Sequence, residues 1–331
     1  MDAAARPIAV VTGGTGFIGW ALCEALRDAG WCVRAVVRPT SSNPLPEGVE
    51  RYDANLDAAA LGDACAGAQV VFHLAGLTRA RTYEEFHSVN ADGAAEVARA
   101  ARRADAFFVL VSSQAAAGPG TVDNVRMETD PEAPLSDYGR SKLAGEHAVR
   151  AIAGLRYSII RPPGVYGPRD KDFLVLFRSA RRGLLPRLGS ASKAYTLIHV
   201  SDVVGALLAV ARTGREDPAA VDGLTAFIGH SQPVTQGELL QSIARAVDKP
   251  RALRLPVPLG VLRVLAEFGE LQGAVTGRPA VLNRSRFREL SAPGFVCNVE
   301  RIADATGWRA AIGFDAGMKE TARWYIAEEW V

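Results

Sequence analysis

Thr12-Gly13-Gly14-Thr15-Gly16-Phe17-Ile18-Gly19 follows directly on a short apolar run, Ile8 to Val11. It reads as a strand that turns on glycines into a helix, the first unit of the fold. Gly13 permits the tight turn, Gly16 lets backbone approach a pyrophosphate, and Gly19 lets the helix pack closely on the strand. The free N–H groups and positive dipole end of the helix start suit phosphate oxygens. Glycine turns are common, so context decides. Here an apolar strand precedes the turn and an amphipathic stretch, Ile18 to Ala29, follows it.

The alternation continues along the first half. Strand candidates are Ile8–Val11, Cys32–Val37, Val70–Leu74, Phe107–Val111 and Tyr157–Ile160, with helix candidates at Ile18–Ala29, Ala58–Cys65, Tyr83–Arg103 and Tyr138–Ala153. Near-continuous apolar strands separated by helices predict an α/β fold, a doubly wound parallel sheet covered on both faces. Ligands of such sheets bind at the carboxyl ends of the strands near the switch point. After about Pro162 helical stretches dominate, at Phe173–Arg182, Val203–Arg212, Gln236–Val247, Leu259–Gly273 and Met318–Ile326, with prolines between them. The expected division is a dinucleotide-binding domain over 1–165, interleaved with later strands, and a smaller, mostly helical substrate region over 166–331.

The 331 residues are 48% apolar and carry a net charge of +2, enough to bury a large core and without a field of one sign. Nucleic acid is therefore not expected as a partner. Cys23, Cys32, Cys65 and Cys297 are widely spread, which argues against a disulfide framework or zinc site and fits a reducing cytosol. The five histidines make no metal-ligand pattern, so no metal is expected. Met1 to Val11 lacks the charged and apolar pattern of a secretory leader. Leu253 to Val275 is too interrupted by prolines and charges to span a bilayer. A soluble, cytoplasmic protein is the expectation.

Tyr138 and Lys142 stand at i and i+4 near a helix start that Ser136 or Asp137 caps. A tyrosine hydroxyl titrates near 10, and a neighbouring ammonium lowers that value by stabilising the phenolate. The pair then exchanges a proton with an alcohol or ketone oxygen. Ser112 and Ser113 follow the strand Phe107–Val111 at the sheet's carboxyl edge, where a hydroxyl can hold a substrate oxygen opposite Tyr138.

Together these features resemble the extended short-chain dehydrogenase/reductase family, in its epimerase/dehydratase-like branch. The resemblance runs through Thr12–Gly19, Val71-Phe72-His73-Leu74-Ala75-Gly76, Val89-Asn90-Ala91-Asp92-Gly93 and Ser112-Ser113. It continues through Tyr138-Gly139-Arg140-Ser141-Lys142, Arg161-Pro162-Pro163-Gly164-Val165-Tyr166 and Ile198-His199-Val200-Ser201-Asp202-Val203. It implies a Rossmann-type fold, Tyr138 as proton donor or acceptor, Lys142 as its electrostatic and ribose-binding partner, and a serine as oxygen anchor. Counted back from Gly118, that anchor is Ser113. The cofactor-lining positions it implies are Gly13, Thr15, Gly16, Phe17, Ile18, Gly19, Arg38, Leu74, Ala75, Gly76, Tyr138, Lys142, Pro162 and Val165. For the adenine contact, Asn55-Leu56 fits the family's Asp-Leu with one deletion, and Asp53 is the ungapped near match. His73, His199 and Asp202 read as packing and capping residues. Pairing of two copies through the Tyr83–Arg103 and Tyr138–Ala153 helices is also implied.

The second strand ends on Val37-Arg38, where NAD-specific members place an acid for the ribose hydroxyls. The same arrangement in dihydroflavonol-reductase-like members goes with NADPH, so NADPH is favoured over NADH. Arg38 stacked on the adenine of either cofactor is the alternative. Three activities compete. The first is an NAD(P)H-dependent oxidoreductase interconverting a ketone and a secondary alcohol on a relatively apolar small molecule, in keeping with the Leu, Val, Pro and Ala content of Leu253–Gly277. The second is a nucleotide-sugar epimerase with tightly held NAD, for which Arg169, Arg178, Arg251, Arg254 or Arg284 could grip a diphosphate. Gln114-Ala115 after Ser113 disfavours dehydration, where dehydratases carry Asp-Glu. The third, a non-catalytic sensor on the same fold, is disfavoured by the presence of Ser113, Tyr138 and Lys142. The first reading is the expectation.

Overall fold

The computed structural model describes residues 6–331 apart from 57, 278 and 281. The leader reading of the first five residues, and Asp57, lie outside the described residues. Seven strands form one parallel sheet: β1 (Ile8–Thr12), β2 (Cys32–Val37), β3 (Glu50–Asp53), β4 (Val70–His73), β5 (Phe107–Val111), β6 (Tyr157–Arg161) and β7 (Leu224–Phe227), in the order β7-β6-β5-β4-β1-β2-β3. From β1 the chain winds outward through β2 and β3, returns to β4, and winds the other way. The switch point therefore lies between β1 and β4, where Thr12 is in register with Val36 on one side and His73 on the other.

Successive strand residues point to opposite faces, so a strand buried on both faces is apolar throughout. Ala9 and Val11 enter one core with Phe72 and Val109, under Leu22 and Leu26 of the Phe17–Asp28 helix and Val203 and Leu207 of the Val200–Glu216 helix. Val10 and Val71 enter the other core with Phe108 and Leu110, under Leu61 of Ala58–Cys65 and Val97 and Ala101 of Gly93–Arg103. A third core, built on Phe177, Leu185, Leu240, Ile243, Met318 and Tyr325, holds the C-terminal region together.

Two sheet strands depart from the expected set. β3 is a polar edge strand, Glu-Arg-Tyr-Asp, with three of its residues exposed. β7 comes from the region read as helical and closes the opposite edge. The expected Tyr83–Arg103 helix is also divided, into Tyr83–His87, a π-helical turn over Ser88–Asp92, and Gly93–Arg103. A π turn re-aims one side chain inward. Here Asn90 is buried, and it donates to Leu77 O at 3.0 Å and to Ser141 Oγ at 2.9 Å.

Candidate active site

The glycine turn has the geometry its residues dictate. Gly13 sits at φ +76°, and a Cβ there would lie 2.8 Å from Ala75 N. A Cβ on Gly19 would lie 2.1 Å from Gly13 O, so helix and turn are in backbone contact. Gly16 N donates to Gly13 O at 2.9 Å, and Gly16 caps the Phe17–Asp28 helix without a side-chain bond. Thr15, Phe17 and Ile18 are half-buried around an exposed Gly16. The first-turn amides thus face the carboxyl edge of the sheet over a surface free of Cβ atoms, which fits a dinucleotide pyrophosphate.

Leu74, Ala75 and Gly76 leave β4 alongside this turn. Leu74 N donates to Thr12 O at 3.2 Å, Ala75 N donates to Thr12 Oγ1 at 3.2 Å, and Thr12 Oγ1 pairs with His73 Nδ1 at 2.7 Å. Burial, with the Lys142 ammonium adding to it, pulls His73 down to about 3. His73 is therefore a neutral packing residue. A Cβ on Gly76 would stand 2.9 Å from Asn90 Oδ1, which also accepts from Leu77 N at 2.8 Å. Through Ser141, whose hydroxyl donates to Tyr138 O at 2.8 Å, Asn90 joins this loop to the Tyr138 helix.

That helix spans Asp137–Arg150, and its cap is Ser136, whose Oγ accepts from Gly139 N at 3.0 Å. A Cβ on Gly139 would come within 2.4 Å of Ala115 O, so the helix rides directly on the segment after β5. The contact brings Tyr138 near Ser113, whose hydroxyl acts to hold the phenol pKa down. Ser113 Oγ also accepts from Ala115 N at 3.1 Å. Ser112 turns away: its hydroxyl donates at 2.6 Å to Glu146, a buried carboxylate that also takes two bonds from Arg161, at 2.9 and 2.6 Å. Of the two serines only Ser113 reaches Tyr138.

Lys142 is buried, and its Nζ donates to Val111 O at 2.8 Å. Burial pulls it down to about 8, opposed by the charge of Glu146. The sequence leads one to expect that Lys142 lowers the Tyr138 pKa. Here that ammonium is not among the charges acting on the phenol. Burial raises the phenol above its usual value, the Ser113 hydroxyl opposes the rise, and the charges acting on it are those of Glu289, Arg286 and Asp172. The lysine ammonium is occupied at the end of β5, and desolvation outweighs every charge near the phenol.

Glu289 and Arg286 belong to the Arg284–Ser291 helix of the C-terminal region, which sequence reasoning did not single out. Asp137 N donates to Ser285 Oγ at 2.7 Å, Ser136 Oγ donates to Glu289, and Arg286 Nη1 donates to Glu289 Oε2 at 2.9 Å. This helix therefore docks on the cap of the Tyr138 helix.

Arg38 is exposed beyond β2, and its guanidinium has no hydrogen bond or ion pair among the described residues. Asp53, in register with Val37, is paired with Arg51 at 2.8 Å. Asn55 is exposed, while Leu56 packs against the start of the Gly93–Arg103 helix, where a Cβ on Gly93 would meet it at 2.8 Å. Pro162 is buried and its carbonyl accepts from Gln114 N at 2.8 Å; Val165 lies in the short Gly164–Tyr166 strand paired with Leu197–His199. His199 Nδ1 accepts from Ser201 N at 3.3 Å, and Asp202 accepts from Ala311 N and Ile312 N at 3.1 and 3.0 Å. Both are capping residues. Among the described residues no cluster of His, Cys, Asp or Glu could hold a metal ion, and no helix is long and apolar enough to cross a membrane.

A phosphate-binding turn at the switch point of a parallel sheet, facing a serine, a tyrosine and a lysine on the next carboxyl ends, defines a nicotinamide-dinucleotide enzyme of the Rossmann type. The chain belongs to the NAD dependent epimerase/dehydratase family, whose profile matches residues 9–222. It is 36% identical to ceramide reductase of Caulobacter vibrioides, over 99% of this chain and 97% of that protein. It is 31% identical to a 4-hydroxy-2-methyl-3-oxo-4-farnesyl-3,4-dihydroquinoline-1-oxide ketoreductase of Stigmatella aurantiaca, over 78% and 79% of the two chains. Among solved structures it resembles MoeE5 in complex with UDP-glucose and NAD, at 26% identity and a TM-score of 0.73 over 97% and 99% of the two chains. The Thermotoga maritima UDP-glucose 4-epimerase shares the fold, with a TM-score of 0.77 at 20% identity over 97% and 99% of the two chains.

Proposed function

We propose that this enzyme reduces a ketone to a secondary alcohol on a long-chain, lipid-like molecule, with NADPH preferred over NADH. The observation that carries the reading is the meeting of Ser113 and Tyr138 at the carboxyl edge of the sheet, with Lys142 one helical turn away on the same face. The end-to-end similarity to a ceramide reductase, and the partial similarity to a ketoreductase named for a farnesyl-bearing quinoline oxide, support the substrate class.

Ser113 holds the carbonyl oxygen by hydrogen bonding, and Tyr138 delivers a proton to that oxygen as the carbon is reduced. A nicotinamide dinucleotide, when bound, supplies the hydride. Gly13 to Gly19 would hold its pyrophosphate, with Leu74 to Gly76, Pro162 and Val165 lining the reactive end and Asn55 and Leu56 the adenine end. Lys142 would bind the ribose. Arg38 is an unpaired cation beyond a strand that ends on Val37 where an acid would accept ribose hydroxyls, and this supports a 2′-phosphate partner.

A panel of ketones graded by chain length, followed by NADPH absorbance, tests the reading. Turnover should rise with chain length and include an N-acylated long-chain 3-ketone; no turnover on any member refutes it. The UDP-glucose complex of a structural neighbour favours a second reading, nucleotide-sugar epimerisation. Against it, Arg178 Nε is committed to Trp330 O at 2.8 Å and Arg284 Nε to Glu267 at 2.7 Å, leaving them poorly placed to grip a diphosphate. Purified protein that carries stoichiometric, non-exchanging NAD and isomerises UDP-glucose would establish that second reading.

A further inference from the structure

The Leu259–Thr276 helix has two apolar sides and only one of them is covered. Leu262, Ala266 and Gly269 face the fold, and a Cβ on Gly269 would lie 1.9 Å from Leu282 O, so the helix is pressed hard against the segment leading into Arg284–Ser291. On the other side Val264, Phe268, Leu271 and Val275 are 55%, 64%, 62% and 79% exposed, in line with exposed Val261 and Leu265. Their spacing of three and four residues makes one continuous stripe. The preceding strand, Leu253–Val257, adds Leu253 and Leu255, both exposed and on one side of that strand. Isolated exposed leucines need no explanation, but a contiguous stripe of this kind marks a surface that meets something apolar.

We infer that this stripe docks on an anionic phospholipid bilayer. The inference rests on the proposed long-chain substrate. Three observations point to a bilayer. First, cations precede the stripe in the chain: Lys249 and Arg251, just before the Leu253–Val257 strand, are exposed and have no ion pair among the described residues. The acids on the helix are engaged, since Glu267 accepts from Arg284 Nε at 2.7 Å and Glu270 from Arg284 N at 3.0 Å. An apolar stripe with basic residues close to it in the chain suits a helix lying in a lipid interface. A second copy of the chain would bring like charges to the same face.

Second, the helix that carries the stripe starts at a cavity beside the helix that holds the Tyr138 cap. Leu259 lines a cavity of about 500 Å³ with Leu188, Lys193 and Leu290, next to the helix whose Ser285 and Glu289 hold the cap of the Tyr138 helix. Third, a long-chain lipid resides in a bilayer, so a reductase that takes it up needs a face of this chemistry.

Co-sedimentation of the full chain with phosphatidylcholine vesicles, with and without phosphatidylglycerol, tests the docking. The chain should bind the anionic vesicles, and high salt should weaken the binding. Phe268→Glu/Leu271→Glu should lower vesicle binding at least tenfold, leave turnover of a water-soluble 3-oxo ester unchanged, and lower turnover of an N-acylated long-chain 3-ketone presented in vesicles. Phe268→Ser alone, checked by circular dichroism, guards against a folding defect in the double variant. Absence of wild-type binding, or equal binding by the variants, overturns the inference. So does a wild-type dimer that the variants split into monomers without any vesicle binding, which would make a second copy the occupant. Failure to reduce the water-soluble ester or any other ketone would refute the proposed reduction while vesicle binding still decides the docking.

Discussion

Glu146→Leu is the sharpest probe of how the fold supports the site. Glu146 is completely buried in the helix that carries Tyr138 and Lys142, and it takes two hydrogen bonds from Arg161, at 2.9 and 2.6 Å, and one from Ser112 at 2.6 Å. Arg161 is itself 1% exposed. Removing the carboxylate while keeping a side chain of similar size leaves the buried guanidinium with only the more distant Glu132, 3.9 Å away, which costs about 3–5 kcal/mol. A chain of 331 residues has an unfolding entropy of about 0.7 kcal/mol/K, so the melting temperature should fall by roughly 4–7 °C. Scanning calorimetry reads this directly. The companion variant Glu146→Leu/Arg161→Met removes both charges, and a buried pair replaced by apolar groups is often neutral, so most of the loss should be recovered. A shift under about 2 °C for the single variant, or a double variant as unstable as the single, would show that the pair is not stabilised as the distances imply.

Tyr138→Phe should lower kcat by about 10²–10⁴-fold, the usual share of a general acid, with dinucleotide affinity nearly unchanged; a loss under tenfold would remove Tyr138 from the chemistry. Gly13→Ala puts a Cβ at φ +76° and 2.8 Å from Ala75 N. An L-residue in that region loses about 1–2 kcal/mol before any clash, so dinucleotide binding by fluorescence titration should weaken about tenfold or more, and an unchanged Kd would refute the role of the turn. Arg38→Ala should raise the KM for NADPH and spare that for NADH; an unchanged KM for NADPH would refute the 2′-phosphate contact. The half-buried Tyr138, its phenol pKa raised above the usual value, stays protonated at neutral pH, the form that donates. Reduction should therefore run well near pH 7, while alcohol oxidation, which needs the phenolate, should climb with pH into the alkaline range; superimposable pH–rate profiles for the two directions would refute this.

The parts of the fold that are legible in the sequence are those whose pattern is local. β2, β5 and the Ala58–Cys65 helix have the bounds that their apolar runs and polar flanks announce. A strand buried on both faces is a short apolar block, and few other structures look like one. β3 carries no such signal because it is a charged edge, and β7 is only four residues long. The break at Ser88–Asp92 is invisible to periodicity because Asn90 is aimed by partners far along the chain, at Leu77 and Ser141. Tyr138 and Lys142 are readable because i and i+4 share a face. Their electrostatics are not, since burial is the largest influence on both groups. Ser285 and Glu289 lie about 150 residues from the cap they hold, beyond any local reading.

Those long-range contacts also bear on how one scaffold serves different substrates. The parallel sheet fixes the glycine turn, Ser113, Tyr138 and Lys142 through backbone approaches, at Gly13, Gly19 and Gly139, that leave almost no freedom. The Arg284–Ser291 helix touches this assembly at the cap of the Tyr138 helix, through side chains of Ser285 and Glu289. Ahead of it stands the Leu259–Thr276 helix, held by the backbone approach at Gly269, by buried Leu262 and Ala266, and by bonds from Arg284 to Glu267 and Glu270, with its other side facing outward. A substrate region joined by so few side chains can be rebuilt without moving the proton donor. A family whose named members include ceramide and quinoline-oxide reductases, with UDP-sugar proteins on the same fold, is what such a joint permits. Substrate choice in this chain should therefore follow the cavity lined by Leu188, Lys193 and Leu290, and substitutions there should change KM between short and long ketones before they change kcat.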